Sequence, residues 1–133
     1  MFPWGETLPQ CAEVAYGRGD DEGRRCTERP QGPVPAGVMT QDVSARGVRD
    51  LGGNVAEWVM DTFRLRYPVC NEICRDPLVQ SNTAQDGGPQ MRVVRGGSWY
   101  RAGEACRGAS RSKGEINEVL KDTGFRCAKS IAK

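Results

Sequence analysis

The chain has 133 residues with 17 Gly, 8 Pro, 6 Cys and no His, and its net charge is only +2. The absence of His excludes Ser/His/Asp triads, Cys/His dyads and His-ligated zinc, copper or iron sites. Only 23 residues are Leu, Ile, Val or Phe, so the composition indicates a globule with a small core held by cross-links or a bound ion, and no apolar run is long enough to span a membrane.

The first 50 residues show no sustained helical or strand periodicity. They contain a Gly-rich acidic stretch at 17–23 and a Pro-rich stretch at 30–37. Because Gly and Pro favour turns and end regular elements, we expect loops throughout this part of the chain.

The clearest predicted helix covers residues 54–63. Asn54 is a suitable N-cap, and Glu57, three positions later, completes a capping box. In such a helix Trp58 and Thr62 share one face, as residues four apart do.

Two strands are predicted in the C-terminal third, over 91–95 and 123–128. The first ends at Gly96-Gly97, a pair that stops a strand in a sharp turn. A turn-rich segment separates the two strands, with a short predicted helix over 115–120.

Charge is unevenly distributed, because residues 1–90 carry a net charge of −4 and residues 91–133 one of +6. A basic segment of this size is a candidate for binding nucleic-acid phosphates. Its Arg residues are scattered singly, however, which favours structural roles against aromatic rings and carboxylates. We therefore expect no nucleic-acid partner.

Six Cys in a small chain favour disulfides and hence an oxidising, extracytoplasmic compartment, either periplasmic or secreted. Structural zinc is the alternative, but it normally requires two closely spaced Cys pairs, and the chain has only one. The order along the chain suggests the pairs Cys11–Cys26, Cys70–Cys74 and Cys106–Cys127. No signal segment begins at Met1, so we expect the sequence to be the C-terminal part of something longer.

The strongest local indication of a site is the stretch Asp50-Leu51-Gly52-Gly53-Asn54-Val55-Ala56-Glu57-Trp58. Its Gly pair lets the backbone fold tightly, so that the carbonyls of Gly53 and Val55 converge with nearby side chains. The side chains in question are those of Asp50 and Glu57, and mixed carboxylate and carbonyl oxygens suit calcium. The alternative is that Asn54 and Glu57 cap a helix whose positive end lies near Asp50.

Four separated motifs follow one another along the chain: Phe2-Pro3-Trp4-Gly5, Asp50-Leu51-x-Gly53-Asn54-Val55-x-Glu57-Trp58, Arg92-Val93-Val94-Arg95-Gly96-Gly97-Ser98-Trp99 and Gly124-Phe125-Arg126-Cys127. Together they resemble the sulfatase-modifying-factor family, whose best-known member is the formylglycine-generating enzyme. The resemblance implies an α+β, C-type-lectin-like formylglycine-generating-enzyme fold with little regular secondary structure, short strands and one or two short helices. It also implies that residues 1–133 are the C-terminal portion of the domain, without its N-terminal half.

In that family, the segment like residues 50–57 binds a structural calcium. Carried over by position, the ligands are the side chains of Asp50 and Glu57 and the carbonyls of Gly53 and Val55. A second calcium site of the family falls in the region like residues 11–43, where Asp42 is the carboxylate of first interest. Calcium is therefore the expected cofactor.

The resemblance fails at the family's chemistry. Formylglycine-generating enzymes use a pair of Cys shortly after Gly-Gly-Ser to bind copper(I) and activate oxygen, and thiolates suit that soft ion. The corresponding residues 99–105 contain no Cys. Cys106 is expected to be structural, and Cys127 either pairs with it or stays free. We therefore expect no copper and no catalytic residues.

Without those thiols, the scaffold is expected to be a calcium-stabilised module that binds a protein or a small ligand. Loops carry binding surfaces, and the long loops here are 17–37, 64–90 and 100–122. This expectation rests on analogy of fold. The alternative is a formylglycine-generating oxidase that converts a sulfatase cysteine to formylglycine.

Overall fold

The computed structural model describes residues 1–19, 25–67, 78–80 and 90–129. Within these residues the strands form a mixed, four-stranded sheet. They are β1 (Ala56–Thr62), β2 (Met91–Arg95), β3 (Ser112–Glu115) and β4 (Thr123–Gly124), in the order β3-β2-β1-β4 across the sheet. β2 pairs antiparallel with β1 and β3, whereas β4 pairs parallel with β1.

The predicted helix over 54–63 is wrong, because most of this segment forms β1. Asn54 has a φ of 55°, a left-handed conformation, whereas an N-cap residue is extended. Its side chain bonds instead to the backbone of Val34, accepting from the N–H over 2.9 Å and donating to the carbonyl over 3.1 Å. The β-branched and aromatic residues that follow suit a strand, and Trp58 pairs with Val94 of β2.

The predicted strand over 91–95 is confirmed with the same limits, as β2. The strand predicted over 123–128 is confirmed only for the two residues of β4. The short helix predicted over 115–120 is wrong, because the backbone after Glu115 continues the hydrogen bonding of the sheet. The Ile116 N–H donates to the Gln90 carbonyl over 3.1 Å, which extends the β2–β3 pairing beyond Glu115.

The expectation of little regular secondary structure is confirmed. The one or two short helices that were expected are represented in the described residues by a single 3-10 turn. Across the described ranges, the helical structure is one 3-10 turn, Gly103–Cys106. No helix there is both long and apolar enough to cross a membrane. The buried apolar side chains are few, as the composition indicates, and they come from the sheet, that turn and the first 40 residues: Ala56, Val93, Val94, Cys106, Val14, Ala15, Cys26 and Met39.

The disulfide predicted between Cys11 and Cys26 is confirmed, with a Cα–Cα distance of 5.3 Å. The predicted Cys106–Cys127 bond is wrong, because both thiols are free. Cys106 is enclosed in the core at the end of the 3-10 turn, whereas Cys127 lies on the surface after β4. The third predicted pair, Cys70–Cys74, lies outside the described residues.

Candidate functional site

The segment from Asp50 to Glu57 begins as a tightly curled loop and ends in β1. Asp50, Gly53 and Asn54 have positive φ angles of 55°, 109° and 55°. Gly is required at position 53, because a Cβ there would lie 2.7 Å from the Ala15 carbonyl oxygen. The Gly53 N–H donates to the Gly96 carbonyl over 2.8 Å, so the loop is fixed against the turn that follows β2.

Arg126 binds this loop from the chain that follows β4. Its Nε donates to Glu57 Oε1 over 2.6 Å, and its Nη2 forms an ion pair with the same oxygen. Nη1 donates to the Arg49 carbonyl over 3.0 Å, and Nη2 donates to the Asp50 carbonyl over 2.6 Å. The hydrogen bond that Arg126 donates to Glu57 raises the pKa of Arg126. The structure therefore brings Glu57 and the Asp50 backbone together through one guanidinium.

The Asp50 carboxylate has one satisfied and one unsatisfied oxygen. Oδ2 accepts a 2.6 Å hydrogen bond from the Gly37 N–H. Oδ1 is buried and has no hydrogen-bond partner. A buried oxygen of this kind carries a free-energy cost that a bound cation would remove. This oxygen is therefore the one that a calcium ion, which the family resemblance implies, would satisfy at the loop.

Asp42, the carboxylate expected near a second calcium site, contacts the same loop. It is 1% exposed, and its two oxygens accept the Gly52 N–H over 3.1 and 3.0 Å. Burial raises the pKa of Asp42 to about 6. The carboxylates of Asp42, Asp50 and Glu57 all act electrostatically on Arg126, so the loop has more carboxylates than that one guanidinium neutralises.

The described residues contain no group of three or more His, Cys, Asp or Glu side chains arranged to hold a metal. A cation at this loop therefore depends on backbone carbonyl oxygens in addition to the carboxylates, which is a common composition for calcium. The calcium ligands Asp50, Gly53, Val55 and Glu57 stay a prediction.

A cleft of about 490 Å³ opens beside the Gly96-Gly97 turn. Its lining comes from the end of β2, β3, the 101–105 segment and residues 118–123. Of the three loops expected to bind ligands, 100–122 thus contributes most to the cleft. Gly17, at the start of the 17–37 loop, contacts the cleft segment, because its N–H donates to the Arg101 carbonyl over 2.7 Å.

The cleft lining carries charges of both signs. The cationic side chains are Arg95, Arg101, Arg111 and Lys113, and the acidic ones are Glu104, Glu118 and Asp122. Arg101 and Asp122 pair at 3.6 Å. Asp122 also accepts a 2.6 Å hydrogen bond from the buried Ser98 hydroxyl, which ties β4 to the turn after β2.

Sequence reasoning placed a binding loop at 100–122 but did not predict the cleft or which charges line it. Ser98 belongs to the Gly-Gly-Ser motif, but nothing in the sequence around Asp122 marks it as the partner of Ser98. The signal that the sequence offers is the basic excess after residue 90, which includes the cleft residues Arg95, Arg101 and Arg111.

Cys106 does not line the cleft. It is 0% exposed, and burial raises the pKa of its thiol to about 12. The thiol is therefore protonated at neutral pH and lacks the thiolate character that metal binding and nucleophilic attack require. This agrees with the structural role expected for Cys106.

Comparison with known proteins identifies the same family as the sequence motifs do. The chain matches the model of the sulfatase-modifying factor enzyme 1-like domain over residues 1–131. It is 33% identical over 94 residues to serine/threonine-protein kinase pkn1 of Chlamydia pneumoniae, which covers 71% of this chain and 14% of the kinase. It is 32% identical over 114 residues to hercynine oxygenase of Mycolicibacterium smegmatis, which covers 84% of this chain and 23% of the oxygenase. The chain therefore spans less than a quarter of the length of these relatives, and it belongs to the sulfatase-modifying-factor family.

Proposed function

We propose that this chain is a non-catalytic member of its family that binds a polypeptide segment in the cleft beside the Gly96-Gly97 turn. The observation that carries the proposal is the cleft itself, about 490 Å³ in volume and lined by charges of both signs. A polypeptide presents backbone donors and acceptors together with charged side chains, which suits such a lining. The relatives named above are a kinase and an oxygenase, so the shared region does not by itself specify one reaction.

The absence of catalysis is supported by the state of the thiols. Residues 99–105 contain no Cys, and the neighbouring Cys106 is a buried, protonated thiol. Cys127 is exposed but stands apart from it as a second free thiol. The family's copper(I) chemistry needs two thiolates on one ion, and this arrangement does not supply them.

A peptide library displayed on phage tests the binding function. Ser112 is exposed and lines the cleft on β3, so Ser112→Trp fills the cleft without disturbing a buried contact. Ala45→Trp adds the same ring at an exposed position outside the cleft. We expect the peptides that are enriched on the wild type to bind the Ala45→Trp variant as well. The same peptides should not bind the Ser112→Trp variant. If no peptide is enriched, or if the enriched peptides bind Ser112→Trp as well as the wild type, the proposal is overturned.

The oxidase alternative has its own assay. The full chain is loaded with copper(I) and incubated in oxygen with a sulfatase-type Cys peptide, and aldehyde formation is followed by mass spectrometry. We expect the peptide to keep its thiol mass. Oxygen-dependent aldehyde formation would show that the chain is an oxidase and would overturn the non-catalytic function.

We further propose that calcium stabilises the loop over residues 50–57. The side chains of Asp50 and Glu57 and the carbonyls of Gly53 and Val55 would hold it. The support is the buried Asp50 Oδ1 without a partner and the excess of carboxylates over cations at the loop. Arg126 engages Glu57 Oε1, so the guanidinium and the ion would share Glu57.

Isothermal calorimetry with calcium chloride tests this site on the full chain. We expect one saturable site in the wild type and in Glu28→Gln, an exposed carboxylate elsewhere, and none in Glu57→Gln. Calcium is also expected to raise the unfolding temperature of the first two proteins, because it binds only their folded state. Equal binding by Glu57→Gln would place the ion away from this loop, and no binding by the wild type would remove calcium; either result would overturn the proposal and leave Arg126 as the loop's cation.

The Cys11–Cys26 disulfide is consistent with an oxidising compartment. We propose an extracytoplasmic location and a role for this chain as the C-terminal portion of a larger domain. Intact mass with and without reductant counts the bonds in protein recovered from its own compartment, and six free thiols would contradict this location. Adding the upstream residues should raise the unfolding temperature, and an unchanged value would show that residues 1–133 fold without them.

A further inference from the structure

We infer that Arg126 is a positioning residue for the calcium ion proposed at residues 50–57, and that its guanidinium strengthens binding of the ion although both are cations. This inference rests on the proposed calcium site, because it assigns the residue that holds the ligands of that site in place. Calcium binding is then coupled to the chain that follows β4, from which Arg126 reaches the loop.

Arg126 joins the two ends of the loop. At the start of the loop, its Nη1 and Nη2 donate to the carbonyls of Arg49 and Asp50 over 3.0 and 2.6 Å. At the end of the loop, its Nε donates to Glu57 Oε1 over 2.6 Å. A guanidinium presents its donors in a rigid planar fork, so these three acceptors are held in one relative arrangement before any ion binds.

Glu57 keeps one carboxylate oxygen for a second partner. Both contacts from Arg126 end on Oε1. Among the residues that the structure describes, no hydrogen bond or ion pair uses Oε2, and the side chain is 19% exposed. Because an ionised carboxylate accepts through both of its oxygens, the guanidinium and the ion need not compete for the same atom.

Arg126 also fixes the residue that carries the unpartnered buried oxygen. Asp50 has a φ of 55°, which is uncommon for a residue other than Gly. Its carbonyl accepts from Arg126 Nη2, and its Oδ2 accepts from the Gly37 N–H over 2.6 Å. Oδ1 is thereby held in its buried position without a partner. A ligand that is already fixed loses little conformational freedom when it binds an ion.

The charges around Arg126 leave room for a second cation. The carboxylates of Glu57, Asp50 and Asp42 all act electrostatically on its guanidinium. When ionised, these three groups carry two more negative charges than the guanidinium neutralises, and two charges are what one calcium ion supplies. Their attraction for the ion offsets its repulsion by the guanidinium.

Calorimetry with calcium chloride on the full chain tests the role of Arg126. Arg126→Lys keeps the charge but loses the fork of donors, and we expect calcium to bind about tenfold more weakly, as metals do when a residue that orients a ligand is changed. Arg126→Gln should weaken binding less than Arg126→Lys does, because it also removes a repelling charge. Calcium affinity equal to that of the wild type in Arg126→Lys, or tighter binding by Arg126→Gln, would overturn the inference.

Two controls separate positioning from general charge and from stability. Arg46 is exposed in the turn before the loop, and Arg46→Lys and Arg46→Gln should bind calcium like the wild type. Losses in the Arg46 variants equal to those in the Arg126 variants would reduce the effect to net charge and contradict the inference. Urea denaturation in a chelator gives the stability without the ion. A lower stability of Arg126→Lys with an unchanged calcium dissociation constant would show a merely structural role and would also contradict it.

Nuclear magnetic resonance tests the inference on the wild type, without a substitution that could impair folding. The Arg126 Nε–H resonance is assigned through the carbons of its own side chain. Because Arg126 is expected to keep its bond to Glu57 in the calcium-bound protein, calcium should slow the exchange of this proton with water. Faster exchange would show that the ion displaces the guanidinium, and the positioning role would be wrong.

The inference and the calcium proposal fail in different ways. If the wild type binds calcium and Arg126→Lys binds it equally well, only the positioning role of Arg126 is lost. If the wild type binds no calcium, the calcium site is lost together with that role, and Arg126 is left as a contact that holds the loop.

Discussion

The buried Ser98 hydroxyl donates a 2.6 Å hydrogen bond to Asp122 Oδ2, and it links the turn after β2 to the residue just before β4. The same hydroxyl oxygen accepts the N–H groups of Tyr100 and Arg101, each over 3.3 Å. Asp122 in turn holds Arg101 at 3.6 Å. One hydroxyl therefore sets the position of a cleft residue from both its backbone and its side chain.

Removing this hydroxyl should destabilise the protein. In Ser98→Ala the buried Asp122 carboxylate loses a donor, and we expect the free energy of unfolding to fall by about 1–3 kcal/mol. Urea denaturation measures the change. Ser112→Ala, at an exposed position on β3, should change the free energy by less than about 0.5 kcal/mol. Similar losses for the two variants would contradict the role of the hydrogen bond.

Gly97 should not tolerate a side chain. Its φ is +68°, and a Cβ there would lie 2.8 Å from the Ala105 carbonyl carbon. The left-handed conformation alone costs an Ala about 1–2 kcal/mol, so Gly97→Ala should lower the free energy of unfolding by about 2 kcal/mol or more. At Gly108 a Cβ would meet nothing within 4 Å, and Gly108→Ala should leave the urea midpoint nearly unchanged. A wild-type midpoint for Gly97→Ala would show that the turn relaxes freely.

Asp42 should make stability depend on pH. Burial raises its pKa from 3.8 to about 6 in the folded protein, so the folded state favours the protonated form. This contribution is fully present below pH 3.8 and is lost as the pH rises through 6, with a total of up to about 3 kcal/mol. Asp42→Asn should flatten this part of the profile of unfolding free energy against pH, measured in a chelator to exclude metal. An equal slope in wild type and variant would show that Asp42 titrates normally.

The Cys11–Cys26 disulfide should contribute strongly to stability. It closes a loop with a sequence separation of 15, for which chain entropy predicts a contribution of about 3 kcal/mol. The double variant Cys11→Ser/Cys26→Ser should lose that much in urea denaturation. Cys127→Ser changes an exposed free thiol and should behave like the wild type. A double variant as stable as Cys127→Ser would count against the cross-link as a main support of this small core.

The elements that sequence reasoning predicted correctly are those with local causes. β2 is a short run of Val between Arg residues that ends in two Gly, and each of these features acts on its own neighbours. The prediction of a helix over 54–63 was wrong because it relied on a capping box, which is a local signal. The conformation of this segment depends on residues that are distant in sequence. Pairing of Trp58 with Val94 and the bonds from Asn54 to Val34 override the capping tendency.

The candidate site likewise has features that the sequence could predict and features that it could not. The loop with Asp50 and Glu57 could be marked from its Gly pair and its acidic ends. The binding of Glu57 by Arg126 could not, because the two residues are 69 positions apart. The cleft likewise joins segments whose proximity follows only from the sheet order. A motif thus located the loop, while the tertiary fold determined its charge partner.

The parallel pairing of Ala56 with Thr123 and the binding of Glu57 by Arg126 set a requirement on synthesis at the ribosome. A nascent chain that has emerged only as far as residue 100 holds the strand Ala56–Thr62 with one neighbour missing and its glutamate without a counter-ion. That strand keeps an open edge at Ala56 and Glu57 for the time needed to translate the next two dozen residues. In this interval the contacts of the strand with Thr123 and Arg126 cannot yet protect it from aggregation.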